Sequence, residues 1–144
     1  MAAAPETSPE DVFINCPFDD DYRDIFRALI FAIYACGFRP RSARELDDGG
    51  QTRIAKLYDI IEESRYGIHD VSRTELDPAH RLPRFNMPLE LGIFLGAKQY
   101  GKPAQRKKLV MIFDIEPFRL IESGTKPSLA IPFELRDNRG TKAI

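Results

Sequence analysis

The chain is poor in the residues that mark secreted, metal-binding or membrane proteins. Its 144 residues include two cysteines, two histidines and no tryptophan. Cys16 and Cys36 both sit in apolar runs, and neither a CxxC pair nor a Cys/His ligand spacing occurs. No disulfide framework or zinc site is expected, and both thiols are predicted to be buried and reduced. No stretch approaches the ~20 apolar residues of a membrane span, so no membrane partner is expected. Residues 1–10 lack both a basic segment and an apolar one, so they read as a disordered leader and not as a secretory signal. The expected location is cytoplasmic. Neither sign of charge dominates, since 21 basic and 22 acidic residues leave a net charge of −1. Nothing global draws the chain to nucleic acid. No glycine-rich phosphate loop or dinucleotide fingerprint follows the first strand, and no Ser or Cys sits in a nucleophile elbow. Asp47-Asp48-Gly-Gly lacks the further carboxylates of a calcium loop, and no metal is expected.

What is present is an alternation of short apolar runs with helical periodicity. Asp11-Val-Phe-Ile-Asn-Cys16, bounded by Pro17, has the continuous apolar character of a strand buried in a parallel sheet. Asp19, Asp20 and Asp21 open a helix whose apolar face is Tyr22, Ile25, Phe26, Leu29, Ile30, Ile33 and Tyr34, with Gly37 as its C-terminal cap. Residues 38–43 form a weaker strand, which Pro40 restricts to a sheet edge. A second helix over 52–65 presents Ile54, Leu57, Tyr58 and Ile61, and a third strand follows at 66–72. A polar loop over 73–85 leads to a third helix over 86–100, with Asn86 as cap, Pro88 in its first turn and Gly101 and Pro103 beyond its end. The basic run Arg106-Lys107-Lys108 reads as a solvated turn before a fourth strand at 108–114. Residues 129–133 are a candidate fifth strand. The prediction is a flavodoxin-like three-layer α/β/α fold with a mainly parallel sheet of four to five strands in the order 2-1-3-4-5. It occupies one domain over 11–135, followed by a frayed tail over 136–144. In such sheets ligands bind beyond the carboxyl ends of the strands, at the point where strand order reverses.

The segment Arg84-Phe-Asn-Met-Pro-Leu-Glu-Leu-Gly-Ile-Phe-Leu-Gly96 carries the most information. Its core, Asn86-x-x-x-Glu90-Leu91-Gly92, resembles the helix start of bacterial Toll/interleukin-1-receptor-like (TIR-like) domains and the Glu-Leu-Gly motif of nucleoside 2-deoxyribosyltransferases. Val12-Phe-Ile-Asn-Cys-Pro-Phe18 resembles the first strand and loop of TIR-like domains. Tyr66-Gly-Ile-His-Asp-Val-Ser72 resembles the third strand of both groups. The resemblance spans residues 11 to about 114. It implies that Glu90 acts at an N-glycosidic bond. Read as a residue of the helix's first turn, Glu90 is also favoured as an anion by the helix dipole, or else is placed there for the dipole alone. An ionised carboxylate suits the oxocarbenium character that develops as such a bond breaks. Gly92 and Gly96, four apart, would let this helix approach the sheet or a ligand closely.

Asp70, near the end of its strand, is the second catalytic candidate, either binding ribose hydroxyls or orienting Glu90; the alternative is a residue capping the next turn. Ser72 and Arg73 are candidate phosphate contacts. Asn15, Phe18 and Asp19 lie in or beside the loop after the first strand, where Phe18 could stack on a base and Asp19 could bind a ribose; Asn86 completes the substrate-binding set. His69 falls on the face opposite Asp70 and reads as structural. Asp70 and Glu90 are expected to open into one pocket. The resemblance implies a TIR-like NAD hydrolase or cyclase of bacterial immune signalling, such as antiphage defence, with NAD as substrate and no other cofactor, and with self-assembly or a partner protein needed for activity. The replacement of the transferase Gly-Thr pair by Asn86-Met-Pro favours this over a nucleoside or nucleotide deoxyribosyltransferase or N-glycosidase. A non-catalytic module that senses a nucleotide or binds a protein is a third possibility.

Overall fold

A computed structural model describes residues 8–45, 53–74 and 84–114. The expected fifth strand and tail lie outside these residues. Within them, four parallel strands, β1 (Ser8–Asn15), β2 (Arg39–Ser42), β3 (Ser64–Asp70) and β4 (Leu109–Phe113), form one sheet in the order β2-β1-β3-β4. Val12 pairs with Pro40 on one side and Tyr66 on the other, and Asp70 pairs with Phe113. Three helices, α1 (Arg23–Ala35), α2 (Arg53–Glu63) and α3 (Asn86–Tyr100), connect the strands. The layers are those predicted. β1 starts at Ser8, so the last three residues of the expected leader belong to the sheet.

β1 and β3 are central, so both of their faces are covered, and strand alternation divides the core in two. On one face Phe13, Val71, Val110 and Ile112 pack with Leu57, Ile60 and Ile61 of α2 and Met87, Leu91 and Phe94 of α3. On the other, Val12, Ile14 and Cys16 pack with Tyr22 and Ile33 on and before α1. The helical faces are narrower than their apolar spacing predicts. Ile25 and Tyr34 of α1 and Ile54 and Tyr58 of α2 are exposed, because a helix on a sheet buries only the stripe that meets it. Cys16 is buried, whereas Cys36, at the end of α1, is exposed, against expectation.

α1 ends as its glycine predicts. Gly37 has φ +81°, the Phe38 amide donates to the Ile33 carbonyl at 3.0 Å, and the Gly37 amide donates to Tyr34 at 2.9 Å. This is a Schellman closure, and the left-handed φ favours glycine there. Gly67 is required for a different reason: a Cβ there would lie 2.7 Å from His69 Nε2 and 2.8 Å from the Phe94 ring. β3 is bare at that point so that α3 can seat Phe94. Gly92 and Gly96, by contrast, would meet nothing within 4 Å, so they do not bring α3 close to the sheet.

Lys108 is fully buried instead of lying in a solvated turn. Its ammonium donates to the carbonyls of Ile61 (2.6 Å) and Ser64, satisfying backbone acceptors where α2 ends. Burial pulls its pKa down to about 8, partly opposed by Glu62.

Candidate active site

The strand order reverses between β1 and β3, since β1 leads through α1 to β2 on one side while β3 leads through α3 to β4 on the other. The loops after these two strands therefore flank one crevice. Phe18 and Asp19 follow β1, Asp70, Ser72 and Arg73 end or follow β3, and Asn15 and Cys16 at the end of β1 are buried. Glu90 lies on α3, one turn in from its start.

Asp70 is 7% exposed and lies on the α1 face. One carboxylate oxygen accepts from the Tyr22 hydroxyl. The other accepts from the Ser72 amide at 2.9 Å. Asp70 thus caps the turn after β3, as the alternative reading held, and is oriented by a phenol as well. Burial, followed by the hydrogen bond to Asp70, pushes the Tyr22 phenol far above its usual pKa, so it stays a donor.

Glu90 is the fifth residue of α3, whose first turn contains no acidic residue. The helix begins one residue earlier than a cap at Asn86 would require; Phe85 takes the cap position and makes no side-chain capping bond. The dipole effect fades beyond the first turn, so it explains neither the charge nor the position of Glu90. Glu90 is 8% exposed in a helix otherwise rich in apolar residues.

The two carboxylates come from opposite faces of the sheet, which speaks against the expectation that they open into one pocket. Asp70 lies on the side of α1, and Glu90 belongs to the helix on the other side. Burial raises the Cys16 pKa to about 12, with the charges of Asp70 and Glu90 as lesser causes, Asp19 adding to them and Arg44 opposing. Cys16 is therefore a buried, protonated thiol and not a nucleophile.

Asn15 is 1% exposed and makes protein contacts. Its amide nitrogen donates to the Met87 carbonyl at 2.8 Å and lies 3.0 Å from His69 Nδ1. A carbonyl only accepts, which fixes the amide orientation and makes Nδ1 the acceptor, leaving the ring proton on Nε2. Asn15 thus ties the end of β1 to the first turn of α3, three residues before Glu90. His69 lies opposite Asp70, edge-on to Phe13 and Phe94. Burial pulls its pKa down to about 3, so it is the neutral structural residue that alternation predicts.

Phe18 is half-buried, edge-on to Phe26 at 5.5 Å and beneath the Arg44 guanidinium at 5.4 Å. Asp19 accepts from the Tyr22 amide (3.0 Å), from Arg73 (2.9 Å) and from Arg84 (2.8 Å). Burial opposes its ionisation, but the Arg84 hydrogen bond, the Tyr22 amide and the Arg73 charge outweigh it and hold the carboxyl below its usual value. Asn86 is exposed at the start of α3.

Sequence reasoning missed Tyr22, Arg44 and Arg84 as parts of this site. Tyr22 reads as one more residue of an apolar helix face, and Arg84 meets Asp19 across 65 residues of chain. Arg44 follows β2, and the strand-end rule would have indicated it. Among the described residues no group of three His, Cys, Asp or Glu side chains could hold a metal ion, and no helix is long and apolar enough to cross a membrane. Compared with protein-family models and with curated proteins, the sequence gives no match.

Proposed function

We propose that this domain is an enzyme that cleaves the N-glycosidic bond of a nucleotide, with the nicotinamide–ribose bond of NAD as the leading substrate. The observation that carries the reading is the placement of Asp70 at the carboxyl end of β3, oriented by Tyr22 and Ser72, and of a buried Glu90 on α3, the helix that follows β3 away from the switch point. Bond cleavage leaves positive charge on the sugar carbon. In this reading Glu90 faces that carbon as ion-pair partner or nucleophile, and Asp70, aimed by Tyr22 and Ser72, holds ribose hydroxyls. The departing nicotinamide leaves as a neutral base, so no strong general acid is needed. The order Val12–Phe18, Tyr66–Ser72, Asn86–Gly92, which resembles TIR-like domains, supports the same reading.

The test is release of nicotinamide from NAD by the purified full chain, followed by chromatography across a range of protein concentrations up to those that permit self-association. Appearance of nicotinamide with ADP-ribose or a cyclic product is expected. NAD left intact at every concentration, with base exchange between nucleosides in its place, would assign the pocket to a deoxyribosyltransferase.

A further inference from the structure

We infer that Arg73 and Arg84 form a phosphate-binding clamp at the mouth of this site, held ready by Asp19, which selects phosphorylated nucleotides over free nucleosides. The inference rests on the cleavage reading for its substrate and on separate geometry for its site. The two guanidinium groups come from either side of the connection between β3 and α3, and each directs Nη1 to one oxygen of a single carboxylate. Asp19 holds both guanidinium groups closely, while Asp21, largely exposed, lies 4.0 Å from Arg73 as a looser partner that an incoming anion can displace. Arg73 and Arg84 are 40% and 38% exposed, so the pair reaches solvent while Asp19 fixes its geometry.

The clamp borders the reacting centre. The Arg73 guanidinium lies 5.9 Å from the centre of the Tyr22 ring, and the Tyr22 hydroxyl donates to Asp70. A nucleotide whose ribose reached Asp70 would therefore bring its 5′-phosphates toward Arg73. Guanidinium groups match phosphate oxygens in pairs, and an oxygen-rich anion can take the same donors that Asp19 engages. Asp19 then acts as a tethered stand-in for the phosphate. It prevents the arginines from collapsing onto Asp70 in the free protein, and it yields when a more highly charged anion arrives. A phosphate-free nucleoside has nothing to offer the pair.

Binding of inorganic pyrophosphate, ADP-ribose and nicotinamide riboside to the full chain tests this by calorimetry. ADP-ribose and pyrophosphate should bind wild type, and Arg73→Gln with Arg84→Gln should weaken both by about tenfold or more while leaving nicotinamide riboside unchanged. Asp19→Asn keeps an acceptor for the Tyr22 amide but removes the competing charge, so it should tighten pyrophosphate binding several-fold. Unchanged ADP-ribose binding in the double variant, or weaker pyrophosphate binding in Asp19→Asn with an unchanged melting temperature, overturns the clamp. Arginine-dependent ADP-ribose binding without any nicotinamide release would keep the clamp and remove the cleavage reading. Equal nicotinamide release from NAD and nicotinamide riboside would do the reverse.

Discussion

Replacing Glu90 by Gln separates a catalytic carboxylate from a structural one. The swap keeps size and removes one negative charge. If that charge faces an oxocarbenium carbon at about 4 Å, an effective dielectric near 20 gives an attraction of about 4 kcal/mol. Losing it slows cleavage by roughly three powers of ten. The stability term is small by comparison. Glu90 lies beyond the first turn of α3, so no dipole interaction is lost. Gln keeps the hydrogen-bonding reach of this buried side chain, so we expect a change of no more than about 2 kcal/mol, or about 6–8 °C in Tm for a domain of this size. Glu90→Asp retains the charge but withdraws it by one methylene, and should fall between. Nicotinamide release and thermal melting are to be measured on the same preparations, at a concentration where wild type turns over. Wild-type turnover in Glu90→Gln, with the fold intact, would refute the assignment of Glu90 and with it the mechanism.

Two further predictions concern what holds the site in shape. Asn15→Ala leaves the Met87 carbonyl and His69 Nδ1 without the amide that joins them. It should cost about 2–4 kcal/mol, seen in urea as a lower midpoint at constant slope; an unchanged midpoint would show that the tie contributes nothing. His69 takes up its proton near 6.5 when unfolded but only near 3 when buried. Between those values the unfolded chain binds the extra proton, so stability falls as pH drops through that window. Asp11 and Asp19, with carboxyls held below 3.8, give up their contributions only at lower pH. The slope from about pH 6 to 4.5 should therefore vanish in His69→Gln, and its persistence there would assign it to other groups.

The layers were legible because local signals and tertiary needs agree. The run Val12-Phe13-Ile14 is apolar on both faces because β1 is central, Pro40 lies on an edge strand, and Gly37 closes α1. Legibility failed where the third dimension supplies the partner. A Lys at the end of a basic run looks solvated until the carbonyls at the end of α2 stand over it, as they do for Lys108. Asp11 looks like a strand-start acid, yet it is fully buried between Arg39 and Arg41 of β2. Glycines four apart suggest close helix approach, but only the side that meets the sheet counts, and Gly67 of β3 provides that approach instead.

The same distinction reorders the candidate site. From spacing, Asn15, Phe18 and Asp19 are substrate contacts and Tyr22 is core. In the fold, this short stretch links the end of β1 to β3, to the start of α3 and to the residues flanking their connection. Asn15 holds the start of α3 and His69; Asp19 holds both ends of the described β3–α3 connection through Arg73 and Arg84; Tyr22 holds Asp70. In the proposed mechanism Asn15 and Tyr22, which are buried, act as positioning residues, and a substrate would meet the groups they aim. For Asp70 of β3 and Glu90 of α3 to serve one proposed reaction centre from opposite faces of the sheet, such a hub would have to fix one carboxylate relative to the other. Substitutions in this loop should then impair turnover more than ground-state nucleotide binding, since the relative placement of Asp70 and Glu90 matters most where charge develops.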